Sequence, residues 1–179
     1  MKQLVLLSIV CIGLAGVCPP DQTLFSGSCY HLIHTVMGWA DAIVTCTAMG
    51  GDLAVAKTFL EHQFIWGIFK ESNHTSGGVW VGCIRNGQDK WVDHRGTECK
   101  YFNWYWGEPN EGYLDEDCIE MRRQYYGQWN NIQCLHDNSV VCQHSAIQPI
   151  TPRHSATQPI APAMECLRAN ANGRFAPKM

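Results

Sequence analysis

Three short segments bring many oxygen-bearing side chains together: Glu108-Pro109-Asn110, Asp115-Glu116-Asp117 and Trp129-Asn130-Asn131. Carboxylates and amides are hard donors, and a calcium ion takes about six to eight oxygen ligands in a shell that tolerates irregularity. Glu108, Asn110, Glu116, Asn130 and Asn131 can supply such oxygens. Pro109 fixes the backbone between two of them, and a cis bond before it would point both neighbours one way. Catalysis has no comparable support. Eight histidines are present, but there is no His-Glu-x-x-His, no Gly-x-Ser-x-Gly and no phosphate loop. A binding protein and not an enzyme is expected.

These donors must be positioned by ordered chain on either side. Trp39, Ile43 and Cys46 fall at helical spacing, with Gly50-Gly51 as a stop. Thr58 and Glu61 have capping-box spacing, and Leu60, Phe64, Ile65 and Ile68 follow as one apolar stripe, which predicts a second helix. From Gly78 onward the pattern changes to short runs, Val79-Trp80-Val81, Lys90-Trp91-Val92 and Ser139-Val140-Val141-Cys142, separated by Asn, Asp and Gly. These predict strands between long loops, with Trp80, Trp91 and Trp129 in the core. Asn73-His74-Thr75 is a glycosylation sequon at a turn.

Composition sets the compartment and the partners. Hydrophobic residues make up 46% of the chain and charged residues 16%, with a net charge of −3, and no Lys/Arg-rich run is present to neutralise phosphates. Nucleic acid and anionic membrane are therefore poor partners. Lys2, the apolar run Leu4 to Leu14 and the small residues Ala15 and Gly16 read as a signal peptide over residues 1–16. No segment reaches the roughly 20 apolar residues of a membrane span, so a secreted, extracellular chain is expected.

Of ten cysteines, Cys11 lies in the signal, leaving nine in a chain that should be oxidised. None is arranged as Cys-x-x-Cys, so a disulfide framework is the better reading than zinc. Residues 145–179 read as a tail. His144-Ser145-Ala146-Ile147-Gln148-Pro149-Ile150 recurs as His154-Ser155-Ala156-Thr157-Gln158-Pro159-Ile160, and the prolines deny helix and central strand. Cys166 lies beyond this repeat as the odd thiol and suggests a disulfide-linked homodimer.

Cys18-Pro19-Pro20, Gly27-Ser28-Cys29-Tyr30, Trp80-Val81-Gly82, Glu108-Pro109-Asn110, Trp129-Asn130-Asn131 and Val141-Cys142 together resemble C-type lectin domains, in the family's order and at compatible spacing. The resemblance covers residues 18–144, and a domain at 17–144 is expected. It implies an α+β fold with two helices, two small antiparallel sheets and a long calcium-binding loop. It also implies the pairs Cys18–Cys29, Cys46–Cys142 and Cys118–Cys134. Cys83 and Cys99 lie outside those pairs and flank the turn signals Asn86-Gly87 and Arg95-Gly96, so a local fourth disulfide is expected.

By the same resemblance, Glu108 and Asn110 would ligate one calcium ion and hydrogen-bond a sugar, with Glu116 and Asn130 completing the shell. The Glu-Pro-Asn order is similar to that of members preferring mannose-type sugars. The physical basis is that Glu108 only accepts hydrogen bonds while the Asn110 amide also donates, which fits vicinal equatorial hydroxyls. Tyr105, Trp106, Tyr125 and Tyr126 flank the site, where an aromatic face can pack on a sugar. The family's usual Trp-Asn-Asp here reads Trp129-Asn130-Asn131, so one negative charge is lost from the metal set. Secreted relatives commonly serve innate recognition. The alternative is a calcium-independent protein of the same fold, or a mineral binder.

Overall fold

The computed structural model describes residues 9–12, 16–110, 115–148, 165–169 and 175–176. Its elements run β1 (Ile9–Ile12), β2 (Thr23–Phe25), β3 (Ser28–Met37), α1 (Trp39–Ala48), β4 (Asp52–Leu53), α2 (Phe59–Glu71), β5 (Gly78–Arg85) and β6 (Trp91–Asp93). They continue with β7 (Cys118–Arg122), a 3-10 turn at Arg123–Tyr125, β8 (Trp129–Ile132), β9 (Asn138–Ser145), β10 (Glu165–Ala169) and β11 (Phe175–Ala176).

Residues Cys18–Ala146 form one unit, which holds both helices and β2 to β9. The α+β architecture is as expected, with one refinement in the sheets. The antiparallel pairings of β3, β4 and β9 and those of β5, β6, β7 and β8 meet at a single parallel register pair, Val79 with Ser139. Eight strands are thereby joined into one mixed sheet, ordered β2-β3-β9-β5-β7-β8 with β4 and β6 as side branches. The joint lies where β5 and β9 are both continuously buried.

Trp39 opens α1 by donating its backbone N–H to Cys134 O at 2.9 Å, and Gly50, at φ 77°, follows its end in the left-handed region that glycine tolerates. The face Trp39, Ala42 and Cys46 is buried, and the Cys46–Cys142 disulfide ties it to β9. In α2, Thr58 Oγ1 accepts from Glu61 N at 3.2 Å, while the Glu61 carboxylate reaches past the cap to Lys57 N at 2.7 Å. The buried face of α2 is His62, Ile65, Trp66 and Phe69, with Leu60 67% exposed. Of the expected stripe, Ile65 is buried and Phe64 and Ile68 pack against the same core, so the correction concerns Leu60 alone. An apolar-only count leaves out His62, which sets the true orientation of the helix.

Trp80 and Trp129 are fully buried, and each such apolar side chain contributes about 1.5–3 kcal/mol relative to exposure. Further disulfides join Cys18–Cys29, Cys83–Cys99 and Cys118–Cys134, with Cα–Cα distances of 5.5, 6.5 and 5.1 Å.

A second unit draws on both ends of the chain, and its described strands form an antiparallel sheet ordered β1-β10-β11. Two of these strands, β10 and β11, lie in the tail at residues 145–179. The apolar, β-branched run Ile9-Val10-Cys11-Ile12 offers backbone partners that a proline-rich repeat cannot. Cys11 and Cys166 are register partners in this sheet. The expectation that Cys166 pairs between chains concerns a side chain outside those described, as do most of residues 1–16 and 149–179.

Candidate functional site

β7 and β8 build the floor of the site. Their register sets Glu120 opposite Asn130 and Ile119 opposite Asn131, so alternate residues of β8 face opposite sides of the sheet. Glu120 is only 2% exposed, and all its oxygens are engaged. Its Oε1 accepts from Asn130 Nδ2 at 3.0 Å and from Arg122 Nη1 at 2.8 Å, and its Oε2 accepts from Asn138 Nδ2 at 2.9 Å. A buried carboxylate is tolerated only when so matched. With its amide nitrogen committed to Glu120, Asn130 has its oxygen left for a ligand. Gly78 makes room for this arrangement, since a Cβ there would lie 2.6 Å from Glu120 Oε2.

The segment before the site is fastened to β8. Trp129 donates its backbone N–H to Asn103 O at 2.8 Å and accepts from Tyr105 N at 2.9 Å. Its indole Nε1 donates to His62 Nδ1 at 3.0 Å, and burial pushes His62 down to about 4. Glu108 N then closes a turn onto Tyr105 O at 2.9 Å, with Gly107 at φ 90° in the position that turn demands. The Glu108–Pro109 peptide is cis, and the side chains on either side of Pro109 meet. Asn110 donates to Glu108 Oε2 from its backbone N at 3.1 Å and from Nδ2 at 2.7 Å.

Glu108, Asn110, Glu116 and Asn130 line one cavity of about 450 Å³, together with Arg122 and Tyr125. Asn131 also borders it but is employed otherwise. Its Nδ2 donates to Asn110 O at 2.6 Å and to Glu116 O at 3.3 Å, and its Oδ1 accepts from Asn110 N at 3.0 Å. Turning the amide over would set oxygen against two carbonyls, so this orientation is dictated by its neighbours. Among the described residues no three His, Cys, Asp or Glu side chains gather at metal-ligating range. The cavity instead offers two carboxylates and two amide oxygens. This hard set suits calcium, completed by water, backbone or ligand oxygens, and does not suit zinc. Asn131, the fifth expected donor, has both ends of its amide hydrogen-bonded within the loop.

A second cavity, of about 480 Å³, is bordered by Asp52, Leu53, His94 and Tyr101 and contains none of the residues expected to bind metal or sugar. Asn73 is exposed beyond α2, at a third cavity shared with His34 and His74. Sequence reasoning missed Glu120, Arg122 and His62. A carboxylate flanked by Cys118, Ile119 and Met121, with the cation Arg122 two residues on, was the available sign of a buried, partnered charge.

The family model of the Lectin C-type domain matches residues 35–144. C-type lectin domain family 4 member M of Nomascus concolor is 32% identical over 131 residues, covering 70% of this chain and 31% of the relative. C-type lectin domain family 4 member G of Mus musculus is 33% identical over 127 residues, covering 67% and 40%. The chain therefore spans well under half the length of these relatives. A calcium-independent type II antifreeze protein superposes with TM-score 0.65 at 28% identity, over 74% of this chain and 98% of that one. The C-type lectin domain of murine dendritic cell inhibitory receptor 2, solved with an N-glycan, gives TM-score 0.63 at 28% identity, over 72% and 99%. With more than half of its length matched by the family model and its fold shared with such structures, the chain belongs to the C-type lectin domain family.

Proposed function

We propose that this protein is a secreted carbohydrate-binding lectin that holds mannose-type sugars through one calcium ion and performs no catalysis. The observation that carries the reading is the pairing of Glu108 and Asn110, 2.7 Å apart, on the cavity that Glu116 and Asn130 also line. Glu108 accepts a hydrogen bond from one sugar hydroxyl, and Asn110 donates to its neighbour. Calcium bound among these four side chains would supply a positive charge directly to the hydroxyl oxygens. With two carboxylates its affinity belongs to the weak, extracellular range, with Kd on the order of 10⁻⁴–10⁻³ M. A relative solved with an N-glycan supports a saccharide ligand. The signal peptide at residues 1–16 and four disulfides support secretion. Innate recognition of foreign glycans is the setting this reading fits.

Two further assignments complete the proposal. Asn73 carries an N-linked glycan, and Cys166, in a tail beyond the domain at 17–144, links two chains. Non-reducing electrophoresis of the secreted protein tests the second, and a band at monomer mass alone removes it.

A second reading, binding without calcium, is favoured by the Asn131 amide, which closes the loop by itself, and by likeness to a calcium-independent antifreeze protein. A mannose column separates them. Retention in calcium with release by chelator is expected. Retention in chelator supports the second reading, and passage through the column in both buffers overturns carbohydrate binding of this type.

A further inference from the structure

Next to the cavity the chain displays two large aromatic rings to solvent: Trp106 is 92% exposed and Tyr126 is 87% exposed. Neither contributes to the core, so packing does not account for them. Both are held by rigid backbone. Trp106 stands in the turn that Glu108 N closes onto Tyr105 O at 2.9 Å, two residues before Glu108. Tyr126 adopts φ 54°, a left-handed conformation that a tyrosine rarely takes. Three bonds hold it there, Tyr126 N to Arg123 O, Gly127 N to Arg122 O and Gln128 N to Tyr125 O, at 3.2, 3.0 and 3.0 Å. Gly127 is packed so closely on the core that a Cβ would come within 2.6 Å of the Trp66 ring.

The two turns are joined. Tyr105 and Tyr125, the immediate chain neighbours of Trp106 and Tyr126, stack with centroids 4.0 Å apart and planes 9° apart. Gln128 Nε2 adds a bond to Trp104 O at 3.3 Å. Tyr125 itself lines the cavity, with the Arg122 guanidinium 5.4 Å from its ring centre. The Tyr105–Tyr125 stack thus connects the turns that carry Trp106 and Tyr126 to the oxygen-rich site.

We infer that Trp106 and Tyr126, braced by the Tyr105–Tyr125 stack, form a ledge that receives the next sugar ring of an oligosaccharide whose terminal residue occupies the Glu108–Asn110 cavity. The inference rests on the carbohydrate reading above and narrows its ligand to chains of two or more sugars. A pyranose ring has one face made of C–H groups, and a flat, rigid aromatic side chain matches such a face while losing little conformational freedom. The terminal ring's hydroxyls meet oxygen and amide groups. The ring behind it has its apolar face left to bury, and the ledge is the adjoining apolar surface.

The test compares methyl mannoside with a mannotriose by calorimetry in calcium, for the wild-type protein, Trp106→Ala and Trp106→Phe. The wild type should bind the trisaccharide about tenfold more tightly than the monosaccharide, the step that one stacked ring supplies. Trp106→Ala should bring that ratio within about twofold while leaving monosaccharide affinity unchanged, and Trp106→Phe should restore most of it. A wild-type ratio near one, or a ratio untouched by Trp106→Ala, overturns the ledge while leaving the sugar site intact. Wild-type protein that binds neither saccharide overturns the carbohydrate reading and the ledge with it. A dimer in sedimentation that Trp106→Ala converts to monomer would make the ledge a protein contact and overturn the inference.

Discussion

Asn131 and Asn110 hold each other by a two-way exchange: Asn131 Nδ2 donates to Asn110 O at 2.6 Å, and Asn131 Oδ1 accepts from Asn110 N at 3.0 Å. An aspartate at this position would face the same carbonyl with an oxygen, and only a cation between them would reconcile the two. The amide nitrogen therefore does by hydrogen bonding what a carboxylate could do only through a metal.

Asn131→Asp should consequently make the domain depend on calcium. Without calcium the variant should lose about 1–3 kcal/mol, the cost of an unmatched buried polar group. Saturating calcium should recover most of that loss, and the calcium midpoint should fall below that of the wild type because the site gains a negative charge. Thermal melts with and without chelator, alongside a calcium titration, check this. Equal midpoints for the two proteins would remove position 131 from the metal's surroundings.

His62 should make the fold acid-sensitive well before the carboxylates titrate. Burial lowers it from 6.5 to about 4, and Nδ1 must stay unprotonated to accept from Trp129. In the unfolded chain the same imidazole binds a proton near 6.5. Stability is thus full above pH 6.5 and declines as pH falls toward 4, at about 1.4 kcal/mol per pH unit and about 3 kcal/mol in total. His62→Gln keeps an acceptor and does not titrate, so denaturant melts across this window should show a flatter profile. An identical profile in both proteins would reassign the acid sensitivity.

Glu120→Gln should weaken sugar binding although Glu120 lies beneath the cavity and does not border it. The amide cannot accept from Asn130, Asn138 and Arg122 together, and Arg122 loses its counter-charge. A stability loss of about 3–5 kcal/mol is expected for breaking such a buried pair. At a temperature where the variant remains folded, its affinity for sugar should drop about tenfold as Asn130 loses its fixed orientation. Unchanged affinity in a folded, destabilised protein would leave Glu120 a purely structural residue.

Gly127→Ala should be among the most damaging single-methyl additions. The position has φ 91°, and the new Cβ would press on the Trp66 ring at 2.6 Å. A loss of about 1–3 kcal/mol is expected from overpacking alone, with the left-handed backbone adding to it. Thermal denaturation of the variant measures it, and a melting temperature within a degree of the wild type would contradict the close approach.

The architecture was legible because its signals are local. The Thr58–Glu61 cap, the stop at Gly50 and the short strand runs each need only a few neighbouring residues to be read. The membership of Glu108, Asn110, Glu116 and Asn130 in one cavity was legible through motif order. The work of Asn131 was not, because whether an amide binds a metal or a carbonyl depends on a loop folded against it from 21 positions away. His62 and Glu120 were hidden for a related reason. Their polar groups are satisfied by partners on other elements, Trp129 with Asn103 and Asn130 with Asn138, and hydropathy alone assigns such residues to the surface.

Val17 and Ile147 form a bridge with two mutual backbone bonds, Val17 N to Ile147 O at 2.9 Å and Ile147 N to Val17 O at 3.1 Å. The polypeptide thus comes into the domain and departs from it at one spot. A unit with adjacent ends can be spliced into a host polypeptide as a single excursion, without forcing the flanking sequences apart. That property makes the fold transferable as a cassette, so that a gain or loss of neighbouring segments leaves its interior undisturbed.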